Sequence, residues 1–251
     1  MSREPRLVAP ASRLPASISG LTRRHFVAAG LGGFAAATLG SVLAHASAPA
    51  LAVFVHVDAK LRYFQGLLRD ALPSVDVTVY SRFGDAIQAI DGGAHALLAL
   101  RSVLEYQGLR LALSGHIAGQ TTEPYVLIAN GRQVEPKSVR RVGTVDLLGR
   151  RGTQQWVERL LGANPEVNRV TKFEDLLPML QLEMVDAVLI PEAVATMFRE
   201  KSRLPLQTTQ LGAQVGLPAL SVLKAGGERI VPALSRVGGH LNHIMRIGGW
   251  Q

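Results

Sequence analysis

The stretch Arg141 to Leu161, RVGTVDLLGRRGTQQWVERLL, decides how the rest of the chain is read. Its first six residues are of strand length and read as a strand, its middle carries paired glycines, and from Thr153 its apolar residues recur at helical spacing. A strand, a glycine-containing turn and a helix in that order make one α/β unit. The scheme continues with a strand at 167–172, a helix at 174–183, a buried-type strand at 186–190 and a helix at 193–201.

The same order occurs upstream. Leu51–Val57 reads as a buried strand, 59–72 as an amphipathic helix, 75–80 as a strand, 85–90 as a short helix and 94–100 as a second buried strand. Alternation at this spacing predicts parallel strands with right-handed crossovers. Between the units, 109–130 reads as two extended pieces flanking Gly119-Gln-Thr-Thr-Glu-Pro124. Beyond them come extended pieces at 206–211 and 217–223, then a helix from Arg229 to about Ile247, broken at Gly238-Gly239. The fold class expected is therefore α/β and two-lobed, with two crossing strands as a hinge and a ligand cleft between the lobes. Residues 47–118 plus 212–251 make lobe 1, and 119–211 make lobe 2, with hinge strands at 119–125 and 206–211.

The 251 residues are 47% apolar and 18% charged and contain no Cys. That composition supports a core and excludes disulfide scaffolds, Cys-based zinc sites and thiol nucleophiles. The net charge of +8 invites a nucleic-acid reading, but half of the excess lies in residues 1–46, which hold five arginines and one acid. There Thr22-Arg23-Arg24-His25-Phe26-Val27 precedes an uncharged stretch to Leu43 and a small-x-small site at Ala44-His45-Ala46. This is the order of a secretory signal, and the paired arginines resemble the twin-arginine export class. Cleavage after Ala46 predicts a periplasmic, monomeric protein without stable membrane insertion and with no nucleic-acid partner; retention of the stretch as an anchor is the alternative.

Three stretches resemble the type II periplasmic binding proteins, most closely the phosphate/phosphonate branch of ABC-transporter solute receptors. They are Val142-Gly-Thr-Val-Asp-Leu-Leu-Gly-Arg-Arg-Gly-Thr153, Phe173-Glu-Asp-Leu-Leu-Pro-Met-Leu with Val185-Asp-Ala-Val-Leu-Ile-Pro-Glu192, and the export signal. The resemblance implies two lobes closing on a small solute, which is then delivered to an inner-membrane permease. The helix start here offers Gly149, Arg150, Arg151, Gly152 and Thr153 where phosphonate receptors are rich in Ser and Thr.

The candidate ligand residues sit where strands end and helices begin, since helix N-termini present unpaired N–H groups. Asp146, Gly149, Arg150, Arg151, Gly152 and Thr153 form the main anion candidate, or else an ordinary turn with two solvated arginines. His56 ends the first strand, and Asp58 reads as a ligand contact or as an N-cap. Ser81 and Arg82 follow the second strand, Arg101 and Ser102 the third, and Glu192 the last strand of lobe 2. Thr121, Thr122 and Tyr125 lie in the first crossing. His240 and His243 read as surface residues, and no metal or cofactor is expected. No P-loop, zinc-binding His-Glu-His helix or nucleophile elbow occurs, so no enzymatic role is expected. The leading expectation is a receptor for a small anionic solute. The alternatives are a hydrophobic or aromatic solute, and a sensor or scaffold domain that transports nothing.

Overall fold

The computed structural model describes residues 48–251, so the expected export signal lies outside the described residues. The first half contains β1 (Ala50–Phe54), α1 (Leu61–Ala71), β2 (Asp76–Val79), α2 (Phe83–Asp91), β3 (Ala96–Leu100) and α3 (Arg101–Tyr106). Next come β4 (Leu113–His116), β5 (Thr122–Asn130), β6 (Arg141–Val145), α4 (Gly149–Leu161), β7 (Glu166–Val170), α5 (Leu176–Gln181), β8 (Ala187–Pro191) and α6 (Glu192–Lys201). The chain ends with β9 (Leu206–Gly216), β10 (Pro218–Val222), α7 (Ile230–Leu234), α8 (His240–Ile244) and β11 (Gly249–Trp250). None of the described helices is long and apolar enough to cross a membrane.

Two sheets result, in the orders β11-β4-β10-β3-β1-β2 and β7-β6-β8-β5-β9. Within each α/β unit the strands are parallel, as the alternation predicts: β1 pairs with β2 and β3, and β6 with β7 and β8. Both sheets are nevertheless mixed, because the chain passes between them and must return. β10 runs antiparallel to β3 and β4, and β5 antiparallel to β8 and β9.

The two passages between the sheets lie side by side. Thr122 pairs with Gly216, and the Leu217 N–H donates to the Thr121 carbonyl at 2.9 Å. β9 stays in the second sheet as far as Gly216 and turns directly into β10. The β5–β9 ladder slips between Pro124 and Val126, where Pro124 has no N–H to offer, and this irregularity sets the position of Tyr125.

Two helices differ from expectation, and the expected break in the last one is present. α3 begins at Arg101 and Ser102, which were expected only to follow the third strand; it holds because Val103 and Leu104 are buried and the Arg101 Nε–H donates to Glu105 at 2.7 Å. α5 stops at Gln181, since Glu183 takes a left-handed φ of 52°. The C-terminal helix is two short ones, separated where Gly239 has φ 58°.

β1 shows why its sequence is a continuous apolar run. Leu51 and Val53 face a core completed by Phe64, Leu68, Ile230 and Leu234, whereas Ala52 and Phe54 face the opposite way. That second face belongs to one apolar cluster that also holds Val126, Val142, Leu147 and Leu189 of the second sheet's side. The lobes thus share a core, with any cleft reduced to what this packing leaves open.

Candidate functional site

A cavity of about 570 Å³ lies outside the carboxyl ends of β1 and β2. His56, Asp58, Lys60, Arg62, Tyr80 and Ser81 line it from the first lobe; Thr171, Lys172, Phe173 and Glu174, which follow β7, line it from the second. Helix α1 starts there. Its N-cap is Lys60, which makes no capping side-chain bond, and its first turn contains no acid. First-turn N–H groups and the cations Lys60, Arg62 and Lys172 thus share the cavity with the carboxylates Asp58 and Glu174. Asp58 is not the cap, because the helix begins two residues beyond the position it would serve. Its carboxylate lies 3.8 Å from Lys201 of the second lobe, an exposed pair of little energetic weight.

Behind the cavity wall, polar groups from distant parts of the chain gather around Arg246. Its guanidinium carbon stands 5.1 Å over the Phe173 ring and a nitrogen is 3.9 Å from Glu123. Burial raises the Glu123 carboxyl above its ordinary value, an effect that Arg246 opposes. The His56 ring meets Phe54 edge-on at 5.1 Å and Phe173 at 6.2 Å, and its buried Nδ1 has no hydrogen-bond partner among the described residues. Burial, then the charge of Arg246, lower the His56 value from 6.5 to about 4, so the ring is neutral at pH 7. Tyr125 is 1% exposed and its hydroxyl has no partner among the described residues; burial, with Glu123 adding, pushes its ionisation upward.

The remaining candidates separate. Thr153 is fully buried: its hydroxyl donates to Asp146 at 2.8 Å and accepts the Leu148 N–H at 2.9 Å. Asp146 also accepts from Arg169 at 2.9 Å. These bonds pin the β6–α4 turn and leave neither side chain free to face a solute. Gly149, with φ 69°, lies beneath Phe83, where a Cβ would stand 3.2 Å from the ring. At Gly152 a Cβ would stand 2.7 Å from that of Leu148 and 2.9 Å from the Tyr106 ring. Aromatic side chains of the first lobe therefore cover the glycine-flanked helix start that was expected to hold an anion.

Arg150 and Arg151 instead line a separate hollow with β7 and no first-lobe residue. Ser102 lines a third hollow, of about 340 Å³, between α3 and α4, its Oγ unpartnered. Arg101 packs on Gly216. Arg82 is exposed at the start of α2, and the exposed Glu192 accepts a 2.7 Å bond from Gln210. Thr121 and Thr122 are half-buried in the crossing.

Among the expected residues, the structure thus brings His56, Asp58 and Ser81 into one cavity, with Tyr125 buried in the polar group behind it. Arg246, Lys172 and Phe173 were missed. Phe173 was quoted only as part of a motif, and nothing local in the sequence couples Arg246 to His56, 190 positions earlier. Across the contact of the lobes an aromatic series runs from Tyr106 through Phe83 and Phe54 to His56 and Phe173, with neighbouring ring centroids 5.1–6.2 Å apart.

No family model matches the sequence, and no curated protein matches it. Solved structures do. An amino acid ABC transporter substrate-binding protein, AbpA, from Streptococcus pneumoniae bound to L-arginine is 17% identical with a TM-score of 0.51, over 78% of this chain and 93% of that one. The periplasmic VFT2 domain of BvgS from Bordetella pertussis is 13% identical with a TM-score of 0.51, over 79% and 93%. The GluR0 ligand-binding core from Nostoc punctiforme in complex with L-glutamate is 14% identical with a TM-score of 0.52, over 74% and 91%. The fold is that of the two-lobed, type II periplasmic binding proteins. The AbpA and GluR0 structures are described with amino acids, and the likeness gives no support to the phosphate/phosphonate branch.

Proposed function

We propose that this protein is an exported receptor, not an enzyme, that holds a small solute carrying a carboxylate and a cationic group between its lobes. The observation that carries the reading is the 570 Å³ cavity whose walls come from both lobes and hold charges of both signs. Lys60, Arg62, Lys172 and the start of α1 suit a carboxylate; Asp58 and Glu174 suit an amine. The amino acids named with the AbpA and GluR0 structures have this chemistry. A phosphonate-like anion at Gly149–Thr153 is disfavoured, because that turn is covered and its hydroxyl engaged. Export by the twin-arginine route and delivery to an inner-membrane permease complete the reading.

A second reading, a sensor domain that transports nothing, is favoured by one observation: the lobes share an apolar core and are joined by the edge-on contact of His56 with Phe173, which ties the halves together directly. Thermal-shift titration with L-arginine, L-glutamate, L-lysine, succinate, inorganic phosphate and methylphosphonate tests the solute. A ligand at one hundred times its Kd adds about 2.7 kcal/mol to stability, which is about 5–10 °C in Tm for a chain of this size. Such a shift with an amino acid, lost in Lys172→Ala and Glu174→Ala, is expected. A shift with phosphate or methylphosphonate alone, or none with any compound, would overturn the proposal.

A further inference from the structure

The arginines that the cleft does not use stand along an open sheet edge. Among the described residues, β7 is the last strand of the second sheet and pairs only with β6. The Glu166 N–H donates toward β6 to the Arg140 carbonyl, and the Val170 carbonyl accepts from Asp146 on the same side. By strand alternation, Val167 and Arg169 turn their N–H and C=O groups outward, where no strand among the described residues meets them. A hollow of about 570 Å³ follows this edge, lined by four consecutive residues, Glu166 to Arg169. Successive side chains point to opposite faces of a sheet, so a hollow touching all four runs along the rim and not over one face.

Its other wall is the first turn of α4, with Arg150, Arg151 and Gln154. Neither Arg150 nor Arg151 has an ion-pair partner among the described residues. Arg169 is already paired with Asp146, so the two uncompensated guanidinium groups of the hollow are those of Arg150 and Arg151, with Glu166 the one carboxylate among its lining residues. The walls are rigidly joined, since Arg169, Asp146 and Thr153 are bonded in series and the Gln154 amide donates to the Pro165 carbonyl at 2.9 Å.

We propose that this edge docks an extended acidic segment of a partner protein, which adds a strand to β7 and places its carboxylates against Arg150 and Arg151. The unpaired edge groups supply main-chain recognition, and the arginines fix the charge of the guest. The test is fluorescence anisotropy of the whole protein with a labelled eight-residue peptide of alternating Glu and Val. Saturable binding is expected, weakened about ten-fold or more by the double substitution Arg150→Glu and Arg151→Glu, and weakened likewise when alternate peptide nitrogens are methylated. Both arginines are exposed, and an unchanged circular dichroism spectrum confirms the variant's fold. Absence of binding, equal binding by the methylated peptide, or indifference to charge reversal would each refute strand addition at this edge.

Discussion

His56 offers the sharpest quantitative check on the contact between the lobes. Its imidazole is held neutral by burial and by Arg246, with a folded value of about 4 against 6.5 in an unfolded chain. The folded state therefore binds fewer protons than the unfolded state. The stabilisation is fully present above pH 6.5 and is lost as the pH falls toward 4. Each pH unit of separation is worth about 1.4 kcal/mol, so the full loss is about 3 kcal/mol. Most of it, about 2 kcal/mol, falls between pH 7 and pH 5. Urea unfolding of the wild type and of His56→Gln across pH 4–8 isolates this contribution, because every other titrating group is common to both. The wild type should lose about 2 kcal/mol more than the variant on going from pH 7 to pH 5. Parallel pH profiles, or an NMR titration of the folded His56 ring centred near 6.5, would refute the placement of this ring between the lobes.

Phe83→Ala removes two edge-to-face ring contacts and the cover of Gly149. It should cost about 1–3 kcal/mol and enlarge the radius of gyration measured by X-ray scattering; an unchanged radius would count against the aromatic series as the closure. Thr153→Val leaves the Leu148 N–H and an Asp146 oxygen without their buried partner and should cost about 2–3 kcal/mol in urea unfolding. A loss below about 0.5 kcal/mol would show that the turn does not depend on that hydroxyl. Gly216→Ala would place a Cβ 2.5 Å from that of Arg101. One backbone must yield, at about 1–3 kcal/mol, read as a fall in Tm; an unaltered Tm would mean that the crossing has slack.

The two α/β units were legible because buried parallel strands are written as apolar runs, and β1, β3 and β8 are such runs. The placement of helix starts was less so. Asp58 is a good capping residue, but α1 begins at Leu61 because the chain runs extended through Lys60. The glycine-flanked arginine turn was read as an anion site from its glycines, its threonine and its place at a helix start. Its availability depended on Phe83 and Tyr106, residues from another lobe whose approach no local pattern encodes. Arg246 was invisible for the same reason. Its position over Phe173 follows from the return of the chain to the first sheet, and its own signal is a single arginine with a left-handed φ of 55°.

The apolar cluster common to both sheets has a calorimetric consequence. Where two lobes keep separate interiors, heating can melt them one after the other; here the halves should melt together, with the van't Hoff and calorimetric enthalpies in agreement. Prising the lobes apart wets hydrocarbon, so it should raise the heat capacity. A guest that enters only after such opening would bind with a heat-capacity change that reports what the protein exposes and reburies, over and above what the guest itself covers.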